Sequence, residues 1–251
     1  MQRGGGQRPA RFPAERRRLA LALVGMIAAT LFVALLLLVS SQGAPAPGWD
    51  SALRGWVLAH RSRGLTGVAT SLSRTGLAVV GTVLVSGASL LLARGDVVRR
   101  AGVVAQWAAA MVIPSSARWA ISTLVARQRP TRTGWLADAH GYAFPSGHAM
   151  ASAAAAGLLT WLVASRLKHT AARGAAGLVA VVWAAAVGWS RVYLGVHWPS
   201  DVLGGWCLAI TWLALLQFLG FPRDHGRHGF TASDRSDGGE GDGRSWCRGA
   251  G

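Results

Sequence analysis

Six long apolar stretches of this 251-residue chain contain no Asp, Glu, Lys or Arg: 19–40, 75–93, 101–117, 149–165, 174–190 and 202–219. Each is about 17 to 22 residues long, and at 1.5 Å per residue such a helix crosses a hydrocarbon core of about 30 Å. A buried helix of a soluble domain can be equally apolar, but six of them in so short a chain would leave almost no polar surface. Only 14% of the residues are charged, against about 25% in an ordinary soluble domain. The pattern predicts an all-α polytopic membrane protein with six transmembrane helices, residues 19–221. A basic arm (1–18) and a tail rich in Gly, Arg, Asp and Ser (222–251) are expected to be disordered.

The first stretch follows arginines and precedes "GAPAPG", which resembles a small-residue cleavage site. A secretory signal carries an apolar core of about 7–15 residues. The run over 19–40 is longer, so it reads as an uncleaved anchor. The net charge of +16 raises the question of nucleic acid as a partner. The chain has no aromatic-interleaved basic strand, zinc spacing or basic recognition helix, so none is expected. The arginines fall instead at span ends, as the positive-inside rule requires. A cytoplasmic N-terminus places Arg16, Arg17, Arg18, Arg94, Arg99, Arg100, Arg166, Lys168, Arg173 and the tail inside. The loops after spans one, three and five then open on the outer face. Cys207 and Cys247 fall on the wrong sides for each other and supply neither a disulfide nor a metal framework.

The first outer loop, 41–74, has Trp49, Leu53, Trp56, Val57 and His60 at helical spacing, which predicts an amphipathic helix lying on the membrane. The second begins in "ARWAISTLVARQRP". A residue before proline leaves the α region, so the helix is expected to end near Arg129, ahead of Pro130. Arg118 lies about three turns earlier, where a charge either snorkels to headgroups or faces a partner or a wet cavity. Arg127 is expected to snorkel.

Span four opens with "FPSGHAM". Ser146 is a good N-cap residue, Gly147 lets another group approach the backbone, and the N–H groups that follow form an anion site at a helix N-terminus. His148 sits in that first turn. Between spans five and six comes "SRVYLGVHWPSD": Leu194 and Gly195 supply a turn and Pro199 opens the last helix. His197 and Asp201 are four apart, close enough for an imidazole–carboxylate hydrogen bond; by itself this spacing supports only a capping pair. Two histidines and an aspartate could also ligate a cation. Arg129, Arg191 and Arg118 nearby favour a phosphate or another tetrahedral oxyanion over a metal.

Taken together and in order, "ARQRP" ending at Pro130, "PSGH" at 145–148 and "SR-x5-H-x3-D" at 190–201 resemble the type-2 phosphatidic acid phosphatase family, which shares its site with the vanadium haloperoxidases. The resemblance covers about 49–220 and implies a helical-bundle core, six spans, an outward-facing site and metal-independent hydrolysis of phosphate esters, with no cofactor. By position it implies that His197 is the nucleophile, Asp201 orients it, and His148 is the general acid and base. Arg129, Arg191, Ser146 and Gly147 would bind phosphate. The family's first motif begins with a lysine seven residues before its arginine, and that position here is Ser122. Arg118, one helical turn earlier on the same face, is expected to stand in for the lysine.

What the resemblance implies, then, is a lipid phosphate monoester or diphosphate phosphatase of a plasma membrane of bacterial type, with cytoplasmic termini. A lipid phosphotransferase, a haloperoxidase and a non-catalytic phospholipid-binding relative are the competing readings. The residues name neither the lipid nor the oligomeric state.

Overall fold

The computed structural model describes residues 12–40 and 48–221, which form eight α-helices. These are α1 (Phe12–Ser40), α2 (Gly48–Ala59), α3 (Arg63–Thr75), α4 (Ala78–Leu92), α5 (Val97–Val125), α6 (Gly147–Ala164), α7 (Thr170–Tyr193) and α8 (Pro199–Phe218). Helix α1 begins at Phe12, so residues 12–18 continue the first helix and are not part of a free arm. The rest of the expected arm and the tail lie outside the described residues.

Five helices (α1 from Arg18, α5, α6, α7 and α8) are each long and apolar enough to cross a membrane. The expected second span differs. Helix α4 has 15 residues, about 22 Å at 1.5 Å per residue, short of the hydrocarbon thickness. It follows α3 at a bend of 58°, and only the two together satisfy the length of a sixth crossing. The break lies at Gly76 and Leu77. The Gly76 N–H turns back to Ser73 O (3.1 Å), Leu77 is extended (ψ 138°), and a Cβ on Gly76 would collide with Val187 of α7. Helix α3 is thereby laid against α7, and Trp183 Nε1 of α7 donates to Thr75 Oγ1 (2.9 Å).

Helix α6 is the centre of the bundle and packs on α4, α7 and α8, while α1 covers α8 from outside. Val85, Trp107, Met111, Met150 and Leu158 fill the space between α4, α5, α6 and α8. The outward faces carry Leu23, Leu31, Val79, Val83, Leu178 and Val182 exposed, an apolar girdle that water would not tolerate and acyl chains would. The exposed stripe of α2 is Trp49, Leu53 and Trp56, continued by His60 just past its end, as an interfacial helix requires, but Val57 points inward and is buried.

Pro114 sits inside α5, where it has no N–H to give the carbonyl of residue 110. Trp212 of α8 supplies the missing donor: its Nε1 bonds Ala110 O at 2.8 Å. Trp212→Phe keeps the ring but strands that carbonyl, and should lower thermal stability in detergent by about 1–3 kcal/mol.

Candidate active site

The turns at one end of the bundle gather most of its buried polar and charged residues. Helix α8 brings its second turn against the start of α6 because two glycines permit it. A Cβ at Gly204 would strike the Phe144 ring, and one at Gly205 would stand 2.7 Å from Ser146 O and 3.0 Å from Met150 N. The Ser146 N–H donates to Asp201 O (2.9 Å), fastening the two helix starts together. Ser146 is the N-cap residue of α6, yet its side chain makes no cap bond. Its Oγ is buried without a protein partner and is free for another acceptor or donor. Gly147 opens α6 and His148 follows, half-buried, within electrostatic reach of His197, Arg118, Arg129 and Arg191.

Helix α7 ends at Tyr193, Gly195 turns the chain with φ +79°, and Pro199 starts α8. His197 lies in this turn, 1% exposed. Its Nδ1 is 3.2 Å from Asp201 Oδ2, and Nε2 is 2.9 Å from Arg129 Nη1. A guanidinium can only donate, so Nε2 is the acceptor and the ring proton resides on Nδ1, facing the carboxylate. The tautomer is fixed from both sides. Burial, followed by the charges of Arg129, Arg191 and Arg118, holds the His197 imidazole well below its ordinary pKa. The ring is therefore neutral, with its Nε2 lone pair directed away from Asp201.

The cations differ in how they are held. Arg191, 4% exposed, donates through Nη1 to Ser73 Oγ of α3 (2.5 Å), while its Nε is buried with no protein partner. Arg118 donates through Nε to Pro145 O (2.8 Å). Its guanidinium carbon comes within 3.3 Å of where a Cβ on Gly147 would stand, so the absence of a side chain at 147 is what admits it. Ser122 is buried on the same helix. Arg129 uses every donor it has: Nε to Gly141 O (2.9 Å), Nη1 to Val196 O (2.8 Å) and His197 Nε2, Nη2 to His140 O (3.0 Å) and Tyr142 O (3.1 Å). It pins the 140–142 loop over the site. Burial lowers its pKa from the usual guanidinium value.

Arg127 does not snorkel. Helix α5 stops at Val125, four residues before Arg129, because Ala126 adopts a left-handed conformation (φ 51°) and caps the helix with its N–H on Ser122 O (3.0 Å). That reversal turns Arg127 inward. Its Nη2 pairs with Asp50 Oδ2 (2.8 Å) and its Nη1 with Asp201 Oδ1 (2.5 Å). Asp50, Ser73 and Ser200 are thus parts of the site that the three sequence motifs omit. One signal was available for Asp50: it is the only acidic residue between Glu15 and Asp96, in a segment whose other charges are all basic. Among the described residues no three His, Cys, Asp or Glu side chains are grouped to hold a metal ion.

Residues 101–222 match the PAP2 superfamily. The chain is 37% identical over 75 residues to an undecaprenyl-diphosphatase of Sulfolobus acidocaldarius, covering 30% of this chain and 32% of that one. It is 40% identical over 73 residues to phosphatidylglycerophosphatase B of Bacillus subtilis (28% and 34%), and 33% identical over 102 residues to a putative undecaprenyl-diphosphatase of Escherichia coli (39% and 47%). The matched segments span about a third to a half of the length of these relatives. The crystal structure of a transmembrane PAP2-type phosphatidylglycerolphosphate phosphatase from Bacillus subtilis shares the fold, with a TM-score of 0.64 at 24% identity over 80% of this chain and 98% of that one. The PAP2 pattern lies over α5 to α8, and the helical bundle around it is the fold of that membrane phosphatase structure; in this segment and in its fold the chain is similar to the PAP2 superfamily.

Proposed function

We propose that this chain hydrolyses a lipid phosphate monoester or diphosphate through a phosphohistidine on His197, without a metal ion. The observation that carries the reading is the pairing of a neutral, tautomer-fixed imidazole with unsatisfied donors. The Ser146 hydroxyl and the Arg191 Nε are buried without protein partners, an arrangement that costs stability unless an oxyanion accepts from them. Their positive and dipolar field, with Arg118 and the N-terminus of α6, suits a phosphate and its pentacoordinate transition state.

The chemistry then runs in two displacements. The His197 Nε2 lone pair attacks phosphorus, and the P–O bond to the lipid alcohol (or to the departing phosphate of a diphosphate) breaks. The leaving oxygen takes its proton from His148, and the ring left on phosphorus is cationic, its Nδ1–H on Asp201. His148, now neutral, takes a proton from water, whose oxygen attacks phosphorus and releases orthophosphate and free His197. Arg129 must yield its bond to Nε2 before the first attack.

The arginine distribution supports cytoplasmic termini and a site on the outer face of a plasma membrane. A site at helix mouths meets headgroups while the chains stay in the bilayer. The names of the relatives direct attention to polyprenyl diphosphates and phosphatidylglycerol phosphate, and phosphatidic acid completes the panel. Purified protein in detergent should release phosphate from at least one of the three, undiminished by EDTA and inhibited by vanadate. Loss of activity in EDTA with recovery on adding a divalent metal would overturn the mechanism.

The same reading gives Arg118 the place of the missing motif lysine. Arg118→Ala is expected to lower kcat/KM by about 10²–10³-fold, the effect of deleting one preorganised donor from a transition-state site. Adding Ser122→Lys in that background should recover part of it. Unchanged turnover in Arg118→Ala would remove the residue from the site.

A further inference from the structure

Behind His197, on the side away from the phosphate donors, stands a row of buried charges that begins at Asp50, a residue outside all three motifs. Asp50 is fully buried. Its Oδ1 accepts the Ser200 N–H at 2.8 Å, and its Oδ2 accepts Arg127 Nη2 (2.8 Å) and the Ser200 hydroxyl. Arg127 Nη1 donates to Asp201 Oδ1 (2.5 Å) and to Ser200 Oγ (2.7 Å). Asp201 Oδ2 in turn accepts the Trp198 N–H (2.8 Å) and faces His197 Nδ1. The order is Asp50, Arg127, Asp201, His197, from an interfacial helix to the nucleophile.

A guanidinium placed directly on Asp201 would by itself neutralise that carboxylate and weaken its hold on the ring. The second carboxylate alters the balance. With Asp50 on its other edge, Arg127 is shared between two anions, and the three buried groups together carry one net negative charge. That charge is opposite to the one the His197 ring acquires in contact with it, when the Nε2 lone pair closes the bond to phosphorus. An interaction present in the phosphorylated state and absent in the ground state accelerates the step instead of tightening substrate binding. We propose that Asp50 and Arg127 are positioning residues for the His197 reaction, Asp50 acting as the counter-ion that leaves the charge of Asp201 available to the ring. The inference rests on the phosphohistidine reading above.

The test uses whichever lipid of the panel the parent chain hydrolyses fastest. Asp50→Asn retains an acceptor for Ser200 but not the charge. Its kcat is expected to fall by about 10- to 100-fold, comparable to deleting the carboxylate behind a ligating histidine, with KM within about twofold because the phosphate donors are untouched. Vanadate, which bonds to Nε2, should inhibit more weakly by the same factor, while competitive inhibition by orthophosphate stays as in the parent. In Asp50→Asn/Arg127→Gln the lone Asp201 faces the ring again, and kcat should rise above that of Asp50→Asn.

A purely structural pair would instead lower the thermal midpoint and move vanadate and orthophosphate together. Should Asp50→Asn not fold, Arg127→Lys keeps the buried positive charge, yet one ammonium does not span both carboxylates as the fork does. The same loss in kcat and in vanadate affinity is expected of it. Parent-level kcat in a folded Asp50→Asn or Arg127→Lys variant, beside an inactive His197→Gln, overturns the relay alone. Sustained turnover in His197→Gln overturns the phosphohistidine reading itself.

Discussion

A His197→Gln variant is expected to release lipid phosphate at least about 10⁴-fold more slowly than the parent chain, because it removes the group on which the two-step route depends. Glutamine keeps a comparable volume and offers the Arg129 guanidinium an acceptor, so the loss would reflect the missing lone pair and not a collapsed turn. Phosphate release under substrate saturation measures it. A base-stable, acid-labile phosphoryl label on the parent, absent from the variant, identifies the intermediate. Activity within tenfold of the parent would place the nucleophile elsewhere.

The surroundings of His197 also set a pH dependence. On the proposed route the neutral ring is the attacking form, and burial with three guanidiniums keeps it neutral well below the ordinary imidazole range. Turnover should therefore persist as pH falls through about 6.5, where an exposed histidine would be lost by protonation. Stability moves the other way. Below about 6.5 the unfolded chain binds a proton at His197 and the folded chain does not, so acidification favours unfolding. The His197→Gln variant should lose less of its thermal midpoint between pH 7 and 5 than the parent does.

The second large effect belongs to His148. An alkoxide leaving from phosphorus is a strong base and needs a proton in the transition state, and a positioned acid is worth about 10²–10⁴-fold. His148→Asn should lose about that much with a lipid phosphate monoester. With p-nitrophenyl phosphate, whose leaving phenolate is stable without a proton, the loss should be about tenfold or less. An equal loss on both substrates would give His148 a role in binding phosphate and not in protonating the leaving group. The contrast depends on the leaving oxygen alone, so a general loss of folding does not imitate it.

How far the sequence announces these arrangements depends on their range along the chain. Local features were readable: Ser146 and Gly147 do open α6, Gly195 does turn the chain and Pro199 does begin α8, because caps, turns and prolines act through neighbours. The membrane class was readable from composition. Three things were not. The second crossing is broken at Gly76 because α3 leans on α7, a contact between segments more than a hundred residues apart. Arg127 turns inward because Ala126 takes a left-handed conformation that nothing in its residue type advertises. Asp50 finds Ser200 across 150 residues, and no periodicity spans that distance. Arg129 differs from expectation in a subtler way. The motif promises a phosphate ligand, but its five N–H groups are all engaged. Its charge acts on the site through space until a partner lets go.

The proline in α5 and the indole that answers it have a mechanical meaning. Arg118 stands one turn beyond Pro114, and α8 carries Asp201 at its start and Trp212 in its middle. The Trp212–Ala110 bond rivets the two helices at mid-depth. A thicker or thinner bilayer tilts helices to restore its match, and an unfastened pair would change its splay at the headgroup level. Here the Trp212–Ala110 bond gives α5 and α8 a shared fixed point about three turns below Asp201, so the cation of one helix and the carboxylate of the other are referred to the same anchor beneath the mouth.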